Sequence, residues 1–256
     1  MEKLFEARYR LGMFDDDCEY NDIPLDVIEC KEHMETNLKM AQESVVLLKN
    51  DGILPLKGTE HIAVIGPNAD DVSVLLGNYN GTPSRYSTIL KGIQDKASGH
   101  ITYAKGCDIS NSNSPHIPFE EAIIAARNAD VVLLCMGLEG EAGDAYNADY
   151  SGDKRDLELP PCQMRLYDAV IAQGKPTVFF NVTGSCTNLS RQDKECNAVL
   201  QVFYSGAMGG EAVADILFGN VSPSGRLPVT FYESIDDLPP FEDYSMENRT
   251  YKFFKG

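Results

Sequence analysis

The chain is poor in positive charge. Its 256 residues include 22 lysines and arginines against 39 aspartates and glutamates, which gives a formal net charge of −17 at pH 7. Nucleic acids and anionic membrane surfaces are bound through clusters of basic residues. This balance argues against both kinds of partner and suits a neutral or cationic ligand instead.

Long apolar runs and paired cysteine motifs are also absent. No apolar run reaches the roughly 20 residues that a membrane-spanning helix needs, and the first residues lack the pattern of a signal peptide. The 7 cysteines are odd in number and none has CxxC spacing, so neither a zinc site nor a thioredoxin-type motif is indicated. A reducing compartment, the cytoplasm, is the simplest explanation of such cysteines.

Familiar cofactor and hydrolase motifs are missing. Gly66-Pro67-Asn68 follows an apolar run but does not continue as GxGxxG, and Pro67 has no amide hydrogen to offer a phosphate. There is no Walker A sequence, no G-x-S-x-G, and no metal-ligand spacing among the 4 histidines. We therefore predict no cofactor and no metal, and a flavodoxin-like nucleotide binder would lack its phosphate loop.

Apolar runs alternate with segments of helical periodicity. The runs at 62–65, 101–104, 130–136, 177–182 and 198–203 predict strands, and segments near 119–126, 161–173 and 209–218 predict helices. The strands are apolar throughout, which is typical of a sheet covered on both faces. The sequence therefore predicts an α/β fold, a mostly parallel sheet sandwiched between helices in flavodoxin-like layers.

One further helix is predicted near the start of this pattern. Apolar residues recur at helical spacing on one face, and Gly52 and Pro55 follow as termination signals. The residues of this face are Met34, Leu38, Ala41, Val45 and Leu48.

The most acidic loop follows the apolar run 130–136. It begins Gly137-Leu138-Glu139-Gly140-Glu141, so two carboxylates stand two residues apart. Ligands in open α/β folds bind beyond the carboxyl ends of the strands, and carboxylates held there can perform acid/base chemistry if burial or charge tunes them. The alternative is a solvated turn whose acids only keep the protein soluble.

Two other loops are candidate ligand sites. In the loop at 78–84, the ring of Tyr79 can stack on a sugar and the amide of Asn80 can bond its hydroxyls, or the segment is an ordinary turn. The glycine-rich segment at 205–210 can hold an anion on its amides, or its glycines only permit close packing of a strand and a helix.

Four segments spread over the chain carry a family resemblance. They are AQESVVLLKNDGILPL at 41–56, IAVIGPNA at 62–69, SPSGRLPVT at 222–230 and RTY at 249–251. In this order they resemble the start of the second domain, its first strand, its closing motif and the approach to a third, fibronectin-like domain in glycoside hydrolase family 3. RLGMFD at 10–15, GNYNGTP at 77–83 and KGC at 105–107 are similar to the family's β-xylosidase and α-arabinofuranosidase branch.

The resemblance implies a division of labour between domains. Family members carry an N-terminal (β/α)8 barrel with a nucleophilic aspartate, and an α/β-sandwich domain that lends the general acid/base glutamate. Residues 1–30 then correspond to the end of the barrel and a linker, 31–233 to the α/β sandwich, and 234–256 to a connector toward a following domain. The implied partners are the barrel and a carbohydrate substrate.

The acid/base role falls on the acidic loop. Glu139 lies nearest the end of the predicted strand and Glu141 is the alternative. The acid needs a raised pKa. A retaining mechanism also needs a second carboxyl group, the nucleophile, about 5–5.5 Å from the acid. Because the resemblance places this nucleophile on the barrel, the chain alone is expected to be inactive. A second hypothesis is a non-catalytic carbohydrate-binding or domain-interface module.

Overall fold

The fold alternates strands and helices along the chain. The structure, a computed structural model, describes residues 1–17, 20–77, 79–110, 116–140, 156–240 and 242–247. Its helices are α1 (Glu2–Arg10), α2 (Lys31–Ser44), α3 (Ile89–Lys96), α4 (His116–Asn128), α5 (Pro161–Ile171), α6 (Ser190–Glu195) and α7 (Gly209–Leu217). Its strands are β1 (Val46–Asn50), β2 (Ile62–Ile65), β3 (Ile101–Ala104), β4 (Val131–Gly137), β5 (Thr177–Val182) and β6 (Ala198–Gln201).

The strands form one mixed sheet in the order β1-β6-β5-β4-β2-β3. Strands β2 to β6 pair in parallel, and β1 pairs with β6 in the antiparallel sense at one edge. Every residue of β2, β4, β5 and β6 is buried. The predicted fold class, a mostly parallel sheet sandwiched between helices, is therefore confirmed.

Helices cover the sheet on both faces. On one face α3 and α7 join a buried cluster through Ile89, Ile93, Val213 and Leu217. On the other, α4 and α5 contribute Ala122, Ala126, Leu166 and Val170 to a second cluster. Because successive residues of a strand point to opposite faces, each central strand supplies apolar side chains to both clusters, which accounts for the continuous apolar runs.

The predicted helix from Met34 through Leu48 is confirmed as far as Ser44 and is wrong in its last residues. Helix α2 ends at Ser44, and the next residues form β1, in which Val46 pairs with Gln201 and Asn50 with Ala198. The β-branched residues and the free edge of β6 favour a strand here, and such tertiary pairing overrides a helical spacing of apolar residues.

The chain divides into two compact units. The first is Met1–Glu35, with α1, a short 3-10 helix at Leu25–Val27 and the start of α2. The second is Thr36–Gly256 and contains the whole sheet. The described residues contain no helix that is both long and apolar enough to cross a membrane.

One buried carboxylate joins three helices on the α3–α7 face. Asp215 in α7 is 6% exposed and accepts hydrogen bonds from Lys96 Nζ at 2.5 Å, Gln42 Nε2 at 2.9 Å and Asn220 Nδ2 at 3.0 Å. Burial alone would raise the pKa of Asp215, but these bonds outweigh it and lower the pKa. The ionised carboxylate therefore holds α2, α3 and the turn after α7 together.

We expect Asp215→Asn to destabilise the chain by about 2–4 kcal/mol at pH 7, since it removes a buried charge from its partners. Because the folded-state pKa is lowered, this stabilisation is complete above the unfolded pKa of about 3.9, declines below it, and is lost as the pH falls through the folded-state pKa. The difference in unfolding free energy between wild type and variant, measured with urea, should therefore shrink below pH 4.

The control is Asp95→Asn, which removes an exposed ion pair between Asp95 and Lys91 within helix α3. This variant should lose about 1 kcal/mol or less. Equal losses in the two variants would contradict this role for Asp215.

Candidate functional site

The sheet has its topological switch between β2 and β4. These strands are neighbours, but α3 follows β2 on one face and α5 follows β4 on the other. Divergent connections leave a crevice at the carboxyl ends of two such strands, and ligands of open α/β folds bind there. The segments that border this crevice are Gly66-Pro67-Asn68 after β2 and Leu138-Glu139-Gly140 after β4.

Two glycines let the backbones approach closely at this edge. A Cβ on Gly66, whose φ is +123°, would lie 2.0 Å from the carbonyl oxygen of Cys135. A Cβ on Gly137 would lie 1.9 Å from the carbonyl oxygen of Val182. No side chain fits at either position, so β2, β4 and β5 are packed backbone against backbone where β4 ends.

The chain leaves β4 through a buried turn that carries the predicted Glu139. Leu138 is fully buried and its amide donates to the carbonyl oxygen of Val182 at 2.9 Å. Glu139 is half-buried and Gly140 is buried. Glu139 therefore stands directly on the rim of the switch-point crevice, whereas Glu141, the alternative acid/base, lies outside the described residues.

Three strand-end loops meet at Gly140. A Cβ built on Gly140 would lie 3.1 Å from Gly77 Cα, in the loop after β2, and 3.2 Å from Tyr204 Cε2, in the loop after β6. The amide of Gly206 also donates to the carbonyl oxygen of Leu75 at 2.8 Å. The loops after β2, β4 and β6 thus converge beside Glu139.

The second predicted site loop begins at this convergence. Tyr79 is 98% exposed, with a left-handed φ of +59°. The side chain of Asn80 donates to the carbonyl oxygen of Gly77 at 2.8 Å. The structure therefore brings the start of the Tyr79–Asn80 loop against the backbone beside Glu139, while Asn78 lies outside the described residues.

The glycine-rich segment at 205–210 is a packing element. The amides of Gly206, Met208 and Gly210 donate to Leu75 O, Asn37 Oδ1 and Ser87 O. A Cβ on Gly210 would lie 1.8 Å from the carbonyl oxygen of Thr88. The amides are therefore used within the fold, and the glycines permit α7 to pack closely on the start of α3.

Sequence reasoning missed two buried amide side chains at the site. Gln163 in α5 is fully buried: its Oε1 accepts from Gly137 N at 2.9 Å, and its Nε2 donates to the carbonyl oxygens of Gly137 and Ile109, each at 2.7 Å. Asn68, 1% exposed, donates through Nδ2 to Leu138 O at 3.0 Å. The available signal was a polar residue on the apolar face of a helix, for Gln163, and a polar residue directly after a buried strand, for Asn68.

A thiol pair lies beside Gln163. Cys162 Sγ contacts the carbonyl oxygens of Asp108 at 3.4 Å and Ile109 at 3.7 Å. The neighbouring thiol of Cys107 lowers the pKa of Cys162, while the same pairing and burial raise the pKa of Cys107. The first residues of α5 thus hold the loop after β3 as well as the end of β4.

Other places in the described part of the chain offer less chemistry. No group of three or more histidine, cysteine, aspartate or glutamate side chains is arranged there to hold a metal ion. A cavity of about 260 Å³ lies at the opposite edge of the sheet, beside Leu47, Pro55, Ile216 and Val221. It has no charged side chain in its lining and includes none of the segments that border the switch point, so the switch-point crevice is the candidate site.

Comparison with known proteins identifies the family. The family model described as "Glycosyl hydrolase family 3 C-terminal domain" matches residues 45–255. The chain is 34% identical to "Beta-xylosidase" of Formosa agariphila, over 93% of this chain and 33% of that protein. It is 32% identical to "Periplasmic beta-glucosidase" of Salmonella typhimurium, over 97% of this chain and 35% of that protein.

Solved structures agree with this match. A GH3 exo-beta-xylosidase (XlnD), in complex with a xylobiose aziridine activity-based probe, superimposes with a TM-score of 0.81 at 31% identity, over 92% of this chain and 30% of that one. The GH3 beta-glucosidase of Bifidobacterium adolescentis gives a TM-score of 0.76 at 31% identity, over 93% and 33%. The chain therefore belongs to glycosyl hydrolase family 3, whose C-terminal domain it contains. It spans about a third of the length of the curated relatives it matches.

We expect Gly137→Ala to destabilise the chain by roughly 3 kcal/mol or more, because its methyl group would displace the end of β4 from β5. Gly77→Ala is the matched control at the same site, since a Cβ there meets no atom within 4 Å. Thermal and urea unfolding of both variants measure the difference. A Gly137→Ala variant as stable as Gly77→Ala would show that the close backbone approach is not required.

Proposed function

We propose that this chain supplies the general acid/base of a retaining β-glycosidase of the β-xylosidase or β-glucosidase type. The observation that carries the proposal is a glutamate, Glu139, at the switch point of a family 3 C-terminal domain. Relatives at 32–34% identity carry the names β-xylosidase and β-glucosidase. The proposed substrate class is therefore a β-linked xyloside or glucoside.

The chemistry requires a second carboxylate from outside the sandwich. In a retaining glycosidase a carboxylic acid protonates the leaving oxygen, and a carboxylate about 5–5.5 Å away attacks the sugar. The same residue, now a carboxylate, then acts as a general base that activates water. We propose that the nucleophile is an aspartate of an N-terminal (β/α)8 barrel, that residues 1–30 are the end of this barrel and a linker, and that 234–256 is a connector.

The acid/base assignment has two candidates in one loop. Glu139 is half-buried at the end of β4, where the loops after β2 and β6 converge. Glu141 follows two residues later. We propose Glu139 as the acid/base and Glu141 as the alternative, with the exposed ring of Tyr79 and the amide of Asn80 binding the sugar.

We also propose a cytoplasmic location. Five cysteines, Cys30, Cys107, Cys135, Cys162 and Cys196, are free thiols in the part of the chain that the structure describes. Free thiols persist most readily in a reducing compartment. A periplasmic location, as the name of the Salmonella relative states for that protein, is the alternative that cell fractionation would detect.

The 256-residue chain alone should not hydrolyse p-nitrophenyl β-xyloside or β-glucoside, because it lacks the proposed nucleophile. The measurement is release of p-nitrophenol by the purified chain over many hours, compared with a sample of heat-denatured chain. Turnover that scales with the concentration of folded chain would contradict the division of the site between two domains.

A chimera tests the role of the glutamates. The chain replaces the matching third of the Formosa agariphila β-xylosidase, and Glu139→Gln is made in this chimera. Turnover of xylobiose should fall by roughly 100-fold or more, whereas 2,4-dinitrophenyl xyloside, whose leaving group needs no protonation, should be cleaved in its first step almost as before.

Two further variants give this experiment its controls. Glu158→Gln changes an exposed glutamate that accepts a hydrogen bond from Asn188, and it should leave both activities unchanged. Glu141→Gln separates the two candidates: if it alone shows the leaving-group dependence, the assignment moves to Glu141. Full xylobiose activity in both Glu139→Gln and Glu141→Gln would favour a non-catalytic carbohydrate-binding or interface module.

A further inference from the structure

The backbone at the end of β4 is held by side chains. Gly137 and Leu138 are buried, yet each has an amide and a carbonyl group that need partners. The Leu138 amide donates to Val182 O, but both polar groups of Gly137 bond Gln163, and the Leu138 carbonyl oxygen accepts from Asn68. Three of these four groups therefore depend on two amide side chains.

We propose that Gln163 and Asn68 are positioning residues, which fix the direction in which the chain leaves β4 and so aim the proposed acid/base loop. The effect of this positioning on catalysis rests on the proposed function, whereas the anchoring of the loop does not. We call Gln163 and Asn68 together the amide clamp. Neither residue is expected to touch substrate, since both side chains are buried.

The chemistry of the amide suits this task. A glutamine side chain donates two hydrogen bonds and accepts others in one plane. Gln163 uses both donors and its oxygen: it bonds both groups of Gly137 and also Ile109 O in the loop after β3. A carboxylate would repel the two carbonyl oxygens, and an apolar side chain would leave three buried backbone groups without partners.

The backbone groups that the clamp binds lie close to Glu139 along the chain. One residue separates Gly137 from Glu139, and Leu138 precedes Glu139 directly. A catalytic side chain must be held to about 0.5 Å, and a misplacement of about 1 Å can lower turnover roughly 100-fold. A shift of the β4 end would therefore displace the carboxyl group of Glu139 by a similar distance.

The first test uses the 256-residue chain itself. Gln163→Met keeps the length of the side chain but removes its hydrogen bonds. Hydrogen–deuterium exchange by mass spectrometry should show about tenfold faster exchange in peptides that cover 137–140, with little change in β2 or β6. The matched control is Gln192→Met: Gln192 is likewise buried, at 1% exposed against 0% for Gln163, lies in α6, and its Oε1 has no hydrogen-bond partner among the described residues.

A second pair of variants keeps the test decisive if Gln163→Met does not fold. In Gln163→Glu, the protonated acid can accept from Gly137 and donate to one carbonyl oxygen, so protection of 137–140 should return at low pH and be lost at high pH. Asn68→Leu removes only the bond to Leu138 O and should loosen the same peptide less. Unchanged protection in all three clamp variants, or equal loosening in Gln192→Met, would overturn the proposal.

The kinetic test uses the chimera described above. Gln163→Met should lower kcat for xylobiose by roughly 10- to 100-fold, leave KM nearly constant, and affect 2,4-dinitrophenyl xyloside far less. Equal losses on both substrates would mean a general structural defect and would overturn positioning. If both glutamate variants keep full activity, the proposed function fails, and the exchange experiment still decides whether the clamp anchors the loop.

Discussion

The structure depends on satisfying the backbone of a strand that ends inside the protein. Strand β4 is buried over its whole length, between β2 and β5 and beneath helices on both faces. A buried amide or carbonyl group without a partner costs about 1–3 kcal/mol. At the end of the parallel ladder Val182 of β5 still accepts from the Leu138 amide, and the other three groups of Gly137 and Leu138 find their partners in Gln163 and Asn68.

This requirement explains why several unrelated segments meet at one edge. Gln163 is brought there by the start of α5, and it also binds the loop after β3. Asn68 is placed by the turn that Gly66 makes after β2. The loops after β2 and β6 then close over Gly140. A single strand end thus organises four connections, and Glu139 is the charged residue that emerges among them.

The sequence predicts most of the strands and helices but few of the long-range contacts that hold them in place. The predicted bounds of β2, β3 and β5 are those observed. For β2 and β5 the reason is that continuous apolar runs between turn residues define buried strands, whereas β3 is only partly buried at the edge of the sheet. The strand β6 ends at Gln201 instead of Phe203, which has a φ of +59° that a strand cannot contain. Strand β1 was predicted as helix because its pairing with the edge of β6 is a long-range contact.

The candidate site divides in the same way. Glu139 and the Tyr79–Asn80 loop follow from their position after apolar runs, since strand ends in parallel sheets share an edge. That Gly77 lies against Gly140 does not follow, because it depends on how two irregular loops pack. The roles of Gln163 and Asn68 are harder still to predict from the sequence. Polar residues are usually exposed, and only the positions of their hydrogen-bond partners show why these two are buried.

The neutrality of the clamp matters for the proposed chemistry. A lysine or arginine could also bind the carbonyl oxygens of Gly137 and Leu138, but a cation that close would stabilise the carboxylate form and lower the pKa of a nearby glutamic acid. A general acid must keep its proton until the leaving group needs it. Amides hold the same backbone without a net charge, so the pKa of the acid is left to the acidic loop and to whatever domain faces it. The position of Glu139 and its proton affinity are then set by different residues, so the backbone of Gly137 and Leu138 can be fixed before a second carboxylate is brought near.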